Sequence, residues 1–213
     1  MRFKRNQVEE AIALLVEPGS PKPSSEMRTR LKRLLETDRG LGRNKRSADP
    51  EIANFAFYRV DASGRGFENW FSEYEAFALL TGLRLMRHGW PQGFAVTVLR
   101  RVKPELERHH GRILKQDPAV LFDEQQIRQR AQPGDLVVEN TDPVLLAIAS
   151  KDQEDGSGPN AVTICRGQGE LVSFIRGQGV GQAWTAFELV NSAHDLASAL
   201  AKTLPRKRGR PSH

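Results

Sequence analysis

The sequence, 213 residues long, has little of what several protein classes require. Its one cysteine, Cys165, excludes a disulfide within the chain, as is usual in a reducing compartment. No apolar run approaches the roughly 20 residues of a membrane-spanning helix. The apolar stretch at residues 11–16 is too short for the core of a signal peptide, and two glutamates precede it. We therefore expect a cytoplasmic protein with no membrane partner.

The sequence also carries no recognisable catalytic or metal-binding arrangement. His109 and His110 are adjacent, so on a helix they point about 100° apart and do not share one face. Cys165 is centred in an apolar strand pattern, which favours packing over nucleophilic chemistry. The glycine-rich run at residues 177–181 matches neither the dinucleotide-binding motif nor the P-loop. We expect no enzymatic activity, no cofactor and no metal ion.

Positive charge is concentrated at the two ends of the chain. Residues 1–60 have a net charge of +5, residues 202–213 also have +5, and residues 61–201 have −4. Lysine and arginine clusters attract polyanions such as DNA. We therefore expect the ends of the chain, rather than its middle, to contact such a partner.

Residues 206–211, near the C-terminus, form the most specific motif of the sequence. They contain no acidic residue and have too little apolar surface to fold alone, so we expect them to be disordered. A glycine between arginines lets the backbone approach the floor of a narrow A·T-rich minor groove. The segment resembles an AT-hook, which implies binding to A·T-rich duplex DNA; a solvated basic tail is the alternative. Its residues are Arg206, Lys207, Arg208, Gly209, Arg210 and Pro211.

Two helices are predicted in the N-terminal region. Val8, Ile12 and Leu15 recur at helical spacing within residues 7–16, and the Pro- and Gly-rich residues 17–23 end that helix. Ser24 or Ser25 then caps a second helix. This helix has an apolar stripe and a basic remaining face, formed respectively by Met27, Leu31, Leu34 and Leu35, and by Arg28, Arg30, Lys32 and Arg33.

A basic loop is expected over residues 39–54, followed by a β-hairpin. The hairpin strands are predicted at 55–60 and 67–72, with a turn at 61–66 that carries Arg65 at its tip. A third helix spans 73–88 after a Ser72 cap, and a fourth runs from Pro91 to about residue 103. Pro104 ends or kinks the fourth helix, and residues 105–115 form a fifth.

This order of helix, turn, helix, hairpin and paired helices resembles the winged helix-turn-helix domain of the MerR type. The resemblance covers about residues 5–103 and is strongest at 70–77 and 83–91, where Gly89, Trp90 and Pro91 separate two helices. It implies that the second helix enters the major groove and that the hairpin acts as a wing.

The second half reads as strands at 135–139, 143–150, 161–165, 170–175 and 184–189, with a final helix at 192–204. The whole chain is therefore predicted to be α+β. A winged helix-turn-helix domain occupies residues 1–115, and a small α+β domain for dimerisation or ligand sensing occupies 116–201. A disordered basic tail occupies 202–213.

The candidate DNA-binding residues come from four segments. Arginine pairs with guanine or phosphate, and serine and threonine serve either. The second helix contributes Ser25, Arg28, Thr29, Lys32 and Arg33, and the basic loop contributes Arg43, Lys45 and Arg46. The hairpin tip contributes Ser63 and Arg65. The tail contributes Arg206, Lys207, Arg208, Gly209 and Arg210.

These features predict a sequence-specific, double-stranded DNA-binding transcriptional regulator that forms a homodimer and associates with the nucleoid. Three alternatives stay open at this point. The chain could be a DNA-architecture protein, either excisionase-like or nucleoid-associated. It could be a protein-interaction module whose basic ends are only solubilising. It could also be an enzyme that holds a nucleotide with residues 177–181.

Overall fold

The computed structural model of the chain describes residues 1–20, 22–58, 70–131, 133–134, 138–151, 161–178 and 182–205. Within them the fold is α+β, as predicted. The strands are β1 (Phe3–Lys4), β2 (Trp70–Phe71), β3 (Val144–Lys151), β4 (Ala161–Arg166) and β5 (Gln182–Glu188). The helices are α1 (Arg5–Val16), α2 (Ser25–Gly40), α3 (Pro50–Ala53), α4 (Glu73–Arg87), α5 (Gln92–Ile113), α6 (Pro118–Leu121), α7 (Glu124–Arg130), α8 (Gly167–Gly177) and α9 (Val190–Lys202).

The two predicted N-terminal helices are confirmed, and Ser24 sets where the second begins. Its hydroxyl accepts a hydrogen bond from the backbone N–H of Met27 at 3.1 Å, which caps α2. Glu17, just after α1, accepts from the Ser24 hydroxyl at 2.5 Å and from the Ser24 backbone N–H at 3.0 Å. These two bonds lower the pKa of the Glu17 carboxyl. They fix the connection between α1 and α2.

Ser72 caps α4, as predicted. Its hydroxyl accepts from the backbone N–H of Glu75 at 3.1 Å, and the Glu75 carboxylate accepts from the backbone N–H of Ser72 at 2.7 Å. This reciprocal pair is a capping box. Phe77, Leu80 and Leu83 on α4 are then buried in the core.

The predicted fourth and fifth helices form one helix. The prediction that the fourth helix ends before Pro104 is therefore wrong. α5 runs continuously from Gln92 to Ile113 with Pro104 inside it. A proline removes one backbone donor and destabilises a helix interior. However, Leu99 before it and Leu106 after it are fully buried, so packing holds both halves in one helix.

The prediction of a first hairpin strand at 55–60 is also wrong for its described residues, 55–58. Residues 54–58 contain no strand, because the backbone N–H groups of Ala56 and Phe57 each donate to the Asp38 carboxylate at 3.0 Å. β2 pairs instead with β1, antiparallel, near the N-terminus. The hairpin tip lies outside the described residues, in the segment 59–69. The expected loop over 39–54 is shorter than predicted, since α2 continues through Gly40 and α3 follows at Pro50–Ala53.

The second half contains an antiparallel sheet in the order β4–β3–β5. The strands predicted at 143–150, 161–165 and 184–189 and the helix predicted at 192–204 correspond to β3, β4, β5 and α9. The strand predicted at 170–175 is wrong, because this segment belongs to α8. Leu171, Phe174 and Ile175 share one helical face and pack with Cys165 against the sheet.

Three further differences concern short elements. Val138 and Glu139, from the strand predicted at 135–139, are not in a strand, and residues 135–137 lie outside the described residues. Helices α6 and α7 are absent from the sequence-based prediction. The Asp117 and Asp123 side chains cap them by accepting backbone N–H groups.

One hydrophobic cluster joins the two halves of the chain. It contains Val8 and Ile12 of α1 together with Leu196 and Leu200 of α9, and it also includes Leu146 of β3. The described parts of the predicted domains 1–115 and 116–201 therefore share a core. The sheet's other face, under α8, holds a smaller cluster that contains the buried Cys165.

Candidate nucleic-acid interface

The exposed face of α2 is where the sequence places the reading residues. Met27, Leu31, Leu34 and Leu35 are buried, which turns the opposite side of the helix outward. The residues predicted to read DNA all lie on that exposed side: Ser25, Arg28, Thr29, Lys32 and Arg33. The structure thus brings these five together on one surface.

Acidic neighbours partly offset this charge. Arg28 Nε lies 3.7 Å from Glu9 Oε2, and Lys32 Nζ lies 3.6 Å from Glu36 Oε1. Both side chains of the Lys32–Glu36 pair are exposed, and such pairs stabilise by about 1 kcal/mol at most, so a phosphate can replace the Glu36 carboxylate as partner. Arg33 is exposed and forms no ion pair with another described residue. The Thr29 hydroxyl donates to the Ser25 carbonyl at 2.8 Å and keeps its lone pairs available.

Glu9 connects α2 to the start of α1. Its carboxylate accepts from Arg5 Nε at 2.7 Å through one oxygen and faces Arg28 through the other. The Glu9 side chain is 14% exposed, and the two arginines around it are 43% and 48% exposed. One largely covered carboxylate therefore holds two outward-facing guanidinium groups side by side.

Arg39 and Tyr58 extend this surface toward the end of α2. Arg39 Nη2 lies 3.4 Å from the Tyr58 hydroxyl, and its guanidinium carbon lies 5.3 Å from the centre of the Tyr58 ring. Burial raises the pKa of Tyr58 to about 12, and the nearby charges of Arg39 and Arg5 act in the opposite direction. We call Arg5, Arg28, Thr29, Lys32, Arg33 and Arg39 the basic face.

The loop at residues 41–49 follows α2, and a buried polar network holds its two ends. Arg100 pairs with Asp38 at 2.6 Å and donates through Nη1 to the carbonyls of Gly42 at 2.8 Å and Glu51 at 3.2 Å. Lys103 Nζ donates to the carbonyls of Phe55 at 2.7 Å and Tyr58 at 2.6 Å. Both ends of the loop are therefore tied to α5.

This loop carries the three basic residues that the sequence assigns to phosphate contacts. The Arg43 guanidinium carbon lies 4.9 Å from the centre of the Phe55 ring, and Lys45 and Arg46 are exposed. The structure therefore presents Arg43, Lys45 and Arg46 on a fixed segment that continues from the end of α2.

The basic tail starts beside α1. Gln7 Nε2 donates to the Thr203 carbonyl at 3.1 Å, and Asn6 Nδ2 donates to the Leu204 carbonyl at 3.3 Å. Residues 203 and 204 thus lie beside the first turn of α1, the turn that also carries Arg5. The tail residues Arg206, Lys207, Arg208, Gly209 and Arg210, like Ser63 and Arg65, lie outside the described residues.

Sequence reasoning missed two members of this surface, Arg5 and Arg39. Both belong to the N-terminal segment whose net charge is +5, so the charge count contained the signal. Their positions could not be read from spacing. Arg5 joins the face through Glu9, and Arg39 joins it through Tyr58.

The remaining titratable candidates lie in the core. Burial lowers the pKa of His110 to about 4, and its ring lies 4.7 Å from that of Phe77. Burial raises the pKa of Cys165 to about 11, so the nucleophilic thiolate is disfavoured. No group of three or more His, Cys, Asp or Glu side chains suited to a metal ion occurs among the described residues.

The chain matches no family model, no curated protein and no solved structure. None of the described helices is both long and apolar enough to cross a lipid bilayer.

Proposed function

We propose that the chain is a double-stranded DNA-binding transcriptional regulator. In this proposal the exposed side of α2 enters the major groove, as in a winged helix-turn-helix protein of the MerR type. Arg43, Lys45 and Arg46 contact phosphates beside it. The AT-hook-like tail follows the minor groove, with a preference for A·T-rich sequence.

The observation that carries the proposal is the position of Thr203 and Leu204 beside Asn6 and Gln7. Residues 203 and 204 lie beside the turn of α1 that carries Arg5, and the shared Glu9 carboxylate lies between Arg5 and Arg28. Two basic segments from opposite ends of the sequence can therefore meet the same duplex. A short tether raises the effective concentration of the second contact, so both together bind more tightly than either alone.

The buried network supports a role for the loop as well. Asp38, Arg100 and Lys103 use their charges inside the protein, where they hold backbone groups. Because the loop ends are fixed, its exposed cations meet a phosphate backbone with less loss of conformational entropy than a free loop. Homodimerisation and association with the nucleoid complete the proposal, since paired half-sites suit a two-fold symmetric regulator.

Fluorescence anisotropy with labelled duplex oligonucleotides tests this function. The full chain should bind duplex DNA with an affinity that falls steeply with salt concentration, since bound phosphates release counterions. The triple variant Arg28→Ala, Lys32→Ala, Arg33→Ala should weaken duplex binding, and each of the three that contacts a phosphate should take roughly 0.9 unit from the slope of log affinity against log salt.

A matched triple variant controls for net charge. Arg112, Arg128 and Arg176 are exposed and lie on α5, α7 and α8, away from the basic face. Their replacement by alanine removes the same charge and should leave binding close to the wild-type value. Equal weakening by both triples, or no duplex binding by the wild type in dilute buffer, rejects the proposal and favours a protein-interaction module.

A further inference from the structure

A groove of about 830 Å³ lies between the ends of α1 and α4, strand β5 and the start of α9. Its volume falls within the range of about 300–1,000 Å³ that is typical of small-molecule sites. No described residue of α2 lines it, so it is separate from the basic face. The groove therefore calls for an explanation of its own.

The α4 wall of the groove is cationic. Arg84 and Arg87 lie one helical turn apart, and His88 follows them. Arg84 is partly buried and donates through Nη1 to the Ser192 hydroxyl, but within the described part of the chain no carboxylate pairs with it. A guanidinium has five N–H donors, so most of those on Arg84 remain available to a ligand. Burial lowers the pKa of Arg84, and nearby Asp195 and Glu188 raise it.

The facing wall is acidic, because Glu139, Glu188 and Asp195 all line it. The Glu188 carboxylate accepts from Asn140 Nδ2 at 3.0 Å and from the backbone N–H groups of Val190 at 2.7 Å and Asn191 at 3.0 Å. It is therefore occupied in holding the start of α9. Glu139 and Asp195 are exposed, and the carboxylate of Asp195 makes no hydrogen bond or ion pair with another described residue. Asp195 lies one turn after Ser192, which Arg84 contacts, so Asp195 is the acid beside the cationic wall.

The groove also offers apolar surface. Leu15 and Val16, at the end of α1, line one side, and Phe187 of β5 lines another. The His88 ring packs edge-on against Phe187, with 5.1 Å between ring centres. A ligand with an apolar side chain can bury it here while its charged ends reach the two walls.

We propose that this groove binds a small zwitterion with an apolar group, such as a short hydrophobic peptide. Its carboxylate would meet Arg84 and Arg87 in charge-assisted hydrogen bonds, and its ammonium would meet Asp195. The acids on the facing wall repel a simple anion, and the arginines repel a simple cation. A ligand that carries both charges satisfies both walls. This binding activity does not depend on the proposed contact with DNA.

Titration calorimetry of the full chain tests the idea with three related probes. The dipeptide Leu-Leu carries both charges, its N-acetyl form lacks the ammonium, and its C-terminal amide lacks the carboxylate. Wild-type protein should bind Leu-Leu at least about tenfold more tightly than either blocked form, because a hydrogen bond to a charged group contributes that much. Equal binding of all three, or no heat from any of them at millimolar concentration, overturns the proposal.

Substitutions assign each charge to its wall. Arg84→Gln should narrow the difference in affinity between Leu-Leu and its amide, because only Arg87 then remains for the carboxylate, and Asp195→Asn should narrow the difference between Leu-Leu and its N-acetyl form. The exposed Arg176→Gln, outside the groove, should leave all three affinities unchanged. Should Arg84→Gln prevent folding, the exposed Asp195→Asn variant and the wild-type comparison still decide. Retention of the wild-type preference by Asp195→Asn contradicts the assignment.

Discussion

The Asp38 carboxylate lies 2.6 Å from Nε of Arg100 in the interior of the protein, where the two side chains are 0% and 4% exposed. The pair joins the last turns of α2 to the middle of α5. Asp38 also accepts the backbone N–H groups of Ala56 and Phe57. The packing of α2 against α5 and the path of residues 41–58, which include α3, therefore depend on one buried ion pair.

Replacement of Asp38 by alanine should destabilise the protein strongly. The change leaves the Arg100 guanidinium buried without its partner and removes the acceptor of two backbone N–H groups. Breaking a buried pair in this way costs about 3–5 kcal/mol of unfolding free energy. Urea denaturation followed by circular dichroism measures the loss.

Arg101→Ala is the matched control, because Arg101 pairs with Glu51 at a partly exposed site, with side chains 34% and 24% exposed. That substitution should cost about 1 kcal/mol or less. Similar losses for the two variants would show that the buried network contributes little. The double change Asp38→Leu, Arg100→Leu should recover part of the stability, since no unpaired charge remains.

Deletion of residues 206–213 should weaken duplex binding and flatten its salt dependence. The deletion removes Arg206, Lys207, Arg208 and Arg210, and each phosphate contact contributes roughly 0.9 unit to the salt slope. Anisotropy titrations at several salt concentrations measure this slope. An unchanged slope would remove the tail from the DNA contact, while the basic face would still be tested by its own triple variant.

Single substitutions on α2 should separate base contacts from phosphate contacts. Arg28→Ala or Arg33→Ala should cost about 1–3 kcal/mol on a preferred site, and less on other sequences, if that arginine reads a base. Binding competition with a randomised oligonucleotide pool shows the change in preference. A uniform loss over all sequences marks the residue as a phosphate contact instead.

Acidification should destabilise the protein partly through His110. Burial lowers the pKa of His110 to about 4, and the charge of His194 acts in the same direction. An unfolded histidine titrates near 6.5, so between these values the unfolded state binds more protons. Stability should therefore fall as pH drops from about 6.5 toward 4, with about 2 kcal/mol lost between pH 7 and pH 5 on account of this group.

His110→Leu should remove that part of the acid sensitivity, as measured by urea denaturation at pH 7 and pH 5. Phe77→Leu serves as the control, since it alters the packing beside the same ring without changing a titratable group. It should lower stability by a similar amount at both pH values. An identical pH dependence in His110→Leu and wild type contradicts the role of His110.

Leu80→Asp should unfold the chain, because Leu80 is 0% exposed on α4 and a carboxylate there has no partner. Leu14→Asp introduces the same residue on α1 at a position that is 53% exposed. It should melt close to the wild type in thermal circular dichroism. Wild-type melting of Leu80→Asp would mean that this side chain is not in the core.

The sequence predicts best where local chemistry decides the structure. Ser24 and Ser72 begin α2 and α4 because each supplies a hydroxyl to an otherwise unpaired backbone N–H. The apolar spacing on α2 identifies its buried side, and hence the exposed residues of the candidate site. These features depend on neighbours within about one helical turn, so a single sequence contains them.

Distant contacts explain what the sequence could not predict. Asn6 and Leu204 are 198 residues apart in the chain, yet their hydrogen bond brings the end of the described chain beside α1. The predictions of a helix end at Pro104 and of a strand at residues 170–175 are wrong because core packing decides the conformation of both segments. The strand predicted near Phe57 does not form, because the buried carboxylate of Asp38 on α2 accepts the Phe57 backbone N–H. No local sequence pattern predicts this contact.

Cys165, the single cysteine of the chain, is 2% exposed, and its thiol stays protonated at neutral pH. Maleimide reagents attack thiolates, so they should leave the native protein unmodified. A cysteine introduced on the surface, for instance near residue 205, would then carry a fluorophore at one known position. Energy transfer from that dye to labelled oligonucleotides could report where the C-terminal segment goes.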